Sequence, residues 1–207
     1  ATMFIALPSA VKSFNWLSTL WRGNIYFTTP MLHALGFVSM FIIGGLSGIF
    51  MAATTVDLMI HDTYFIVAHI HYVLFGGSLF AIFAGITYWF PKMFGRMMND
   101  KWGKVHFWGT IIPFNMIFIP LFVLGAAGQH RRIYDYSYFP ELMQPGFQDM
   151  RILATVSLLI MLAFQAVFTT NFFYSLFRGA KAEKNPWKAN TLEWSADSPP
   201  PHGNWKE

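Results

Sequence analysis

An all-α bundle of membrane-spanning helices is what this sequence predicts, and three observations carry it. Of 207 residues, 55% are hydrophobic and only 12% charged, a balance that suits a polytopic membrane protein and not a soluble domain. Four runs (Pro30–Ala53, Tyr64–Phe90, His106–Ala127 and Ile152–Phe177) carry no Asp, Glu, Lys or Arg. Each is about 20 residues or more, enough to cross a hydrocarbon core of about 30 Å. The loops between these runs alternate in charge, as consecutive spans require.

The alternation is explicit. Trp21–Thr29 holds Arg22 and no acid, and Pro91–Lys104 holds Lys92, Arg96, Lys101 and Lys104 against Asp100. The segment after the last span holds Arg178, Lys181, Lys184 and Lys188 against Glu183. Between them, Thr54–Asp62 carries Asp57 and Asp62 without a base, and Gly128–Met150 balances Arg131 and Arg132 against Asp135, Glu141 and Asp149. Basic loops and the tail are therefore expected on the inner side, and the other two loops on the outer side. The formal charge of +4 is accounted for by those loops rather than by nucleic-acid binding. The absence of cysteine excludes disulfides, thiolate metal sites and cysteine chemistry.

Five spans follow in order. The first, Ala1–Trp21, is apolar but contains Lys12, and Pro8 interrupts its backbone bonding. The sequence shows no initiator Met, basic leader or cleavage pattern, so an incomplete first span and a piece of a longer subunit are expected. Span two carries Gly44, Gly45 and Gly48, read here as small residues for close helix packing. Span three carries His69 and His71, then Gly76-Gly77, and is expected to end at Pro91. Span four contains Pro113 and Pro120 and is expected to kink. Span five runs from Arg151 to Arg178, with Asn171 near its inner end. Residues 1–178 thus form the membrane part. Residues 179–207, with Pro199-Pro200-Pro201, form a polar, extended, surface-bound tail.

The His69-Ile70-His71 element is the most informative local feature. Each helical residue advances about 100°, so an i,i+2 pair points to nearly opposite faces. One metal cannot use both; two separate sites can. Counting from Asp62, the pair lies roughly 10–14 Å below the outer end of its span at about 1.5 Å per residue. Arg131 and Arg132 sit at the same membrane face. Imidazoles below and guanidiniums above suit two planar cofactors with axial iron and anionic arms, which haem satisfies. The competing reading makes each histidine a satisfied packing residue.

Two further sites stay open at this level. His61-Asp62 can hold a hard divalent cation, or be a capping Asp beside a surface His. Lys12, with Ser9 three residues earlier on the same face and Pro8 loosening the backbone, can belong to a proton path. It can equally be a lysine that snorkels to the inner surface.

The strings HDTYFIVAHIHYVLFGG, Ala-Leu-Pro-Ser-Ala-Val-Lys and GGLSG, Arg131-Arg132 with IYDY, and TLEW…SPPPH together resemble subunit I of the haem–copper oxidases, most of all its cytochrome c oxidase branch. The resemblance covers the whole chain and corresponds to the last five of that subunit's twelve helices. It implies that His69 is the axial ligand of the high-spin haem at the oxygen-reducing centre and His71 one of two axial ligands of the low-spin haem. It implies a magnesium ion on His61 and Asp62, haem propionates on Arg131 and Arg132, and Asp57 in the polar region nearby. Lys12 and Ser9 match the family's lysine proton path, with Ser in place of the usual Thr.

Two departures, Ile70 where Phe is usual and His130 where Pro is usual, suggest a divergent bacterial branch. Copper B, its tyrosine, the second low-spin haem ligand and the other proton channel would lie on earlier helices. The implied partners are the rest of subunit I, subunits II and III, cytochrome c as electron donor, and membrane lipid, with no nucleic acid. The implied cofactors are two haems, a-type, with copper B and magnesium. The implied location is a bacterial inner membrane. A quinol oxidase of the same superfamily is the nearest rival, and His61-Asp62-Thr63 argues against it. A non-catalytic transporter or assembly fragment is the rival from another class.

Overall fold

The computed structural model describes residues 2–203, and among them every long element is helical. Ala1 and residues 204–207, the ends of the expected first span and tail, lie outside the described residues. The elements are α1 (Thr2–Leu20), α2 (Thr29–Ala52), α3 (Thr54–Ile60), α4 (Tyr64–His71), a π-helical segment (Tyr72–Leu79), α5 (Phe80–Phe94), α6 (Asp100–Ala126) and α7 (Pro145–Arg178). Short 3₁₀ turns occupy part of the α6–α7 connection (Tyr136–Tyr138 and Pro140–Leu142) and part of the tail.

Among the described residues, four helical stretches are long and apolar enough to cross a membrane: Thr29–Ala52, Tyr64–Phe94, Asp100–Ala126 and Pro145–Arg178. The protein is therefore an all-α, polytopic membrane bundle. The expected first span forms as helix α1 and runs through Pro8, but it is not one of these four. Lys12, Asn15 and its serines and threonines dilute its apolar character.

Several boundaries differ from the sequence reading, each for a local reason. The expected acidic loop is largely the short helix α3. Ala53 alone turns extended (φ −82°, ψ 112°), and its carbonyl accepts from Val56 and Asp57 to restart the helix. Pro91 does not end the third span. The helix continues to Phe94 and stops at Gly95, whose φ of 66° is the left-handed conformation of a helix C-terminus. Span four starts six residues early, at Asp100, because Asn99 caps it by accepting from the amides of Lys101 (3.0 Å) and Trp102 (3.2 Å). Asn171 on α7 pins the same turn, donating to the Asn99 carbonyl (3.0 Å) and accepting from its amide (3.2 Å).

In the packing, α1 lies on α2, α2 on the π segment and α5, α4 on α6, and α6 along α7. The buried core gathers Met40, Ala68, Tyr72, Phe114, Ile117, Phe118, Ala154 and Met161. Its members Ala68 and Tyr72 flank the two histidines in sequence, so the core braces that stretch of helix directly. Glycines set the closest approaches. At Gly125 a Cβ would overlap the backbone of Tyr64 and Phe65, which lets the end of α6 cross the start of α4 in backbone contact.

The tail is not a loose extended strand. It folds back on the end of α5: Met97 N donates to Ala180 O (2.8 Å), and Ala182 N donates to Gly95 O (2.9 Å). Trp194 is 1% exposed and donates to the Tyr88 hydroxyl (2.9 Å), while Lys92 lies 4.9 Å above its ring. Burying so large a side chain outweighs the freedom a polar tail would otherwise keep. In contrast, Phe4, Leu58, Leu159 and Phe177 stay exposed, as expected of surfaces that meet lipid or protein rather than water.

Candidate functional site

The two histidines of α4 turn to different neighbours. His69 faces α2, where its Nδ1 lies 2.9 Å from the Gly44 carbonyl and 2.9 Å from the Ser47 hydroxyl. His71 lies beside α6, its ring parallel to Phe118 within 20° at a centroid distance of 4.6 Å. Its Nδ1 lies 2.7 Å from the carbonyl of Val67, one turn earlier.

A carbonyl can only accept, so each Nδ1 carries the proton. The Ser47 hydroxyl donates to the same Gly44 carbonyl (2.7 Å), consistent with that assignment. Both rings are thereby fixed in one tautomer, with the lone pair on Nε2. This is the second-sphere arrangement that prepares a histidine for metal, because the carbonyl orients the ring and raises its basicity.

Gly48 completes the seat of His69. A Cβ there would stand 2.9 Å from His69 Cε1 and 3.6 Å from Nε2. The glycines of GGLSG therefore do more than the close packing read from sequence. Gly44 does pack tightly, against Tyr72 and Val73, yet it also supplies the carbonyl, and Gly48 supplies the space. Immediately after His71 the backbone widens into the π segment, a feature often found beside functional sites.

At the acidic end of the span, two stretches of chain are clamped together. Arg131 Nε donates to Asp62 Oδ1 at 2.9 Å, and its Nη2 reaches the same oxygen. The Arg131 amide donates to the Asp62 carbonyl (2.9 Å), Thr63 and His130 form an antiparallel bridge, and Tyr64 N donates to Gln129 O (3.0 Å). Arg131 beside Asp62 holds that carboxyl below its ordinary range. Asp57 Oδ2 stands 3.6 Å from His61 Nδ1, and Asp62 Oδ2 3.9 Å from His61 Nε2.

Arg132 is exposed, with φ 65° and no carboxylate within ion-pair reach among the described residues. Lys12 is exposed and Ser9 half-buried on α1, with the Ser9 carbonyl taking a bond from Ser13 (2.9 Å). Lys12 is thus not held in the interior of this bundle. The structure does not gather it with the other candidate residues.

The family described as Cytochrome C and Quinol oxidase polypeptide I matches residues 1–160. The chain belongs to the subunit I family of the haem–copper oxidases. It is 47% identical, over its full length, to cytochrome c oxidase subunit 1 of Synechocystis sp., and 43% identical to that of Thermostichus vulcanus. It spans 36% of each of those relatives, about a third of their length. A heme-copper terminal oxidase dimer solved by cryo-EM shares the fold over 88% of this chain and 36% of the solved chain, with a TM-score of 0.75 and 20% identity.

Haem fits the donor set on α4. Two imidazoles with carbonyl-bound Nδ1 atoms each leave an Nε2 lone pair, on rings that neighbour different helices, and a glycine opens the space beside one ring. Magnesium fits only in part. Among the described residues no three His, Asp or Glu side chains converge as ligands, so His61 and the second oxygen of Asp62 would be a partial set.

Sequence reasoning missed the residues that seat the His69 ring, Ser47 and Gly48, although GGLSG one helix upstream was the signal. It also missed His33, His106 and Gln165. They join in one buried hydrogen-bonded chain because three spans bring them together, which no local spacing announces.

Proposed function

We propose that this chain is the C-terminal portion of the catalytic subunit of a proton-pumping terminal oxidase, which passes electrons from cytochrome c to O2 and reduces it to water. It corresponds to the last five of twelve helices, with residues 1–178 in the membrane and 179–207 as the tail on the inner side. The observation that carries this reading is the matched pair of Nδ1-anchored histidines turned to α2 and α6. The names of the relatives at 42–47% identity support the cytochrome c branch over quinol oxidation.

In this reading His69 is the axial ligand of the high-spin haem and His71 an axial ligand of the low-spin haem. Both haems are a-type. When bound, the haem irons supply electron transfer and oxygen reduction. The chain's own residues prepare for that. The Gly44 carbonyl and Ser47 hydroxyl hold the His69 ring, the Val67 carbonyl and Phe118 hold the His71 ring, and both keep Nε2 unprotonated as a ligand atom.

Arg132, without a carboxylate partner among the described residues, binds haem propionates, and Arg131 shares its guanidinium between Asp62 and a propionate. Asp57 contributes to that polar region, and His61 with Asp62 gives two ligands to magnesium. Lys12 and Ser9 take up protons from the inner side. Copper B and the second low-spin ligand belong to the rest of subunit I, which with subunits II and III, cytochrome c and lipid completes the working assembly in a bacterial inner membrane.

A reduced-minus-oxidised spectrum of the intact complex tests this. Signals from a high-spin and a low-spin haem, with a dicopper near-infrared band, are expected. No haem signal would sink the oxidase reading, and haem without the dicopper band would move the donor to quinol.

A further inference from the structure

Two histidines outside the candidate haem site form their own buried network. His33 on α2 and His106 on α6 are both 0% exposed. His33 Nε2 lies 3.3 Å from His106 Nδ1, with ring planes 22° apart, which suits an N–H···N bond in the plane of both rings. His33 Nδ1 lies 2.9 Å from the Thr29 carbonyl, and His106 Nε2 lies 3.2 Å from Gln165 Oε1.

The proton count of this network is unusual. The Thr29 carbonyl only accepts, so His33 Nδ1 carries a proton. Gln165 Nε2 donates to Thr110 Oγ1 (2.9 Å) and toward the Met161 carbonyl (3.3 Å). The second of these acceptors cannot donate, which orients the amide and leaves Oε1 toward His106. His106 Nε2 must therefore carry a proton as well. The bond between the rings needs a third. Two neutral imidazoles supply two.

We propose that His33 and His106 form a buried proton-binding site, a dyad that holds one proton more than two neutral imidazoles and shares it across the Nε2–Nδ1 bond. The site lies about one turn into the bundle from the basic-loop end. Burying a charge is costly, but here it is spread over two rings and bonded to two fixed acceptors, which offsets part of that cost.

The groups that face the dyad from each packed element are Thr29 on α2, Phe80 and Phe83 on α5, Phe107 on α6, and Gln165 and Phe168 on α7. None of them titrates. The charged groups joined to the network are Asp100, whose Oδ1 accepts from the amide and hydroxyl of Thr29 (2.9 Å each), and Lys104, which pairs with Asp100 at 2.7 Å. Asp100 connects the site to the surface through Thr29.

The test is 15N-histidine solid-state NMR on the assembled membrane complex with the full-length subunit at pH 7. A 15N–15N correlation across the shared hydrogen bond assigns the two rings in the wild type without any variant. The expected result is a doubly protonated imidazolium signal in this pair. That signal is lost in Gln165→Leu, which keeps both rings but removes the acceptor demanding the third proton, and in His33→Gln. One proton on each ring in the wild type overturns the proposal. So does an imidazolium signal that survives Gln165→Leu unchanged.

Discussion

His69 Nδ1 stands 2.9 Å from the carbonyl oxygen of Gly44, twenty-five residues earlier and one helix away. That bond joins the two most glycine-rich stretches of the spans, GGLSG and the helix leading to Gly76-Gly77. It turns a packing contact into a device that fixes a tautomer. Gly76 shows the same closeness lower down, where a Cβ would come 2.6 Å from Met40 Cβ.

The seat of His69 makes a direct prediction for its glycine. Gly48→Ala places a methyl 2.9 Å from the imidazole, and the ring must move. Overpacking of this kind costs about 1–3 kcal/mol. Loss or shift of the high-spin haem signal is expected with the low-spin signal retained. Gly45→Ala, with nothing within 4 Å, serves as the control and leaves both unchanged.

Gly125 gives a sharper packing prediction. A side chain there meets the backbone of Phe65, which cannot swing aside. Gly125→Ala is expected to destabilise the assembled complex by about 3 kcal/mol or more, read as an early thermal transition. Gly146→Ala, facing open space, leaves the transition in place.

The Asp62–Arg131 clamp has a defined pH dependence. Arg131 holds the Asp62 carboxyl below its ordinary value. The clamp's contribution is complete above that ordinary value and disappears as pH falls through the lowered one. Asp62→Asn is expected to remove the acid-side step seen in an amide-exchange titration of residues 62–64 and 129–131. An identical acid profile in the variant would mean the ion pair contributes nothing there.

Trp194 should behave as the anchor of the tail. Trp194→Ala removes a side chain that is 1% exposed, at a cost of about 3–5 kcal/mol. Limited proteolysis is expected to cut between residues 180 and 203 in the variant and to spare the same bonds in the parent.

The membrane class, four of the spans and the opposed histidines were legible because hydrophobic length and the 100° helical step act locally. The resemblance named the family, and the family match agrees with that; the residue roles it implies belong to the proposal. The neighbours of the two histidines were not legible in the same way. Gly48 read as a helix-packing residue, and Ser47 drew no reading at all, until α2 was set beside α4. His33, His106 and Gln165 lie on three different spans, and Asp62 reads as a cap or a ligand until Arg131 arrives from 69 residues away. The helical tail of span three past Pro91 and the helix in the acidic loop depended on capping and a single extended residue, which periodicity does not report.

In the proposed function His69 and His71 serve two different haems. Reduced-minus-oxidised spectra of the intact complex carrying His69→Ala or His71→Ala test it most directly. The first variant is expected to lose the high-spin signal and keep the low-spin one, and the second to do the reverse. Loss of the same signal in both variants, or of neither, contradicts the account.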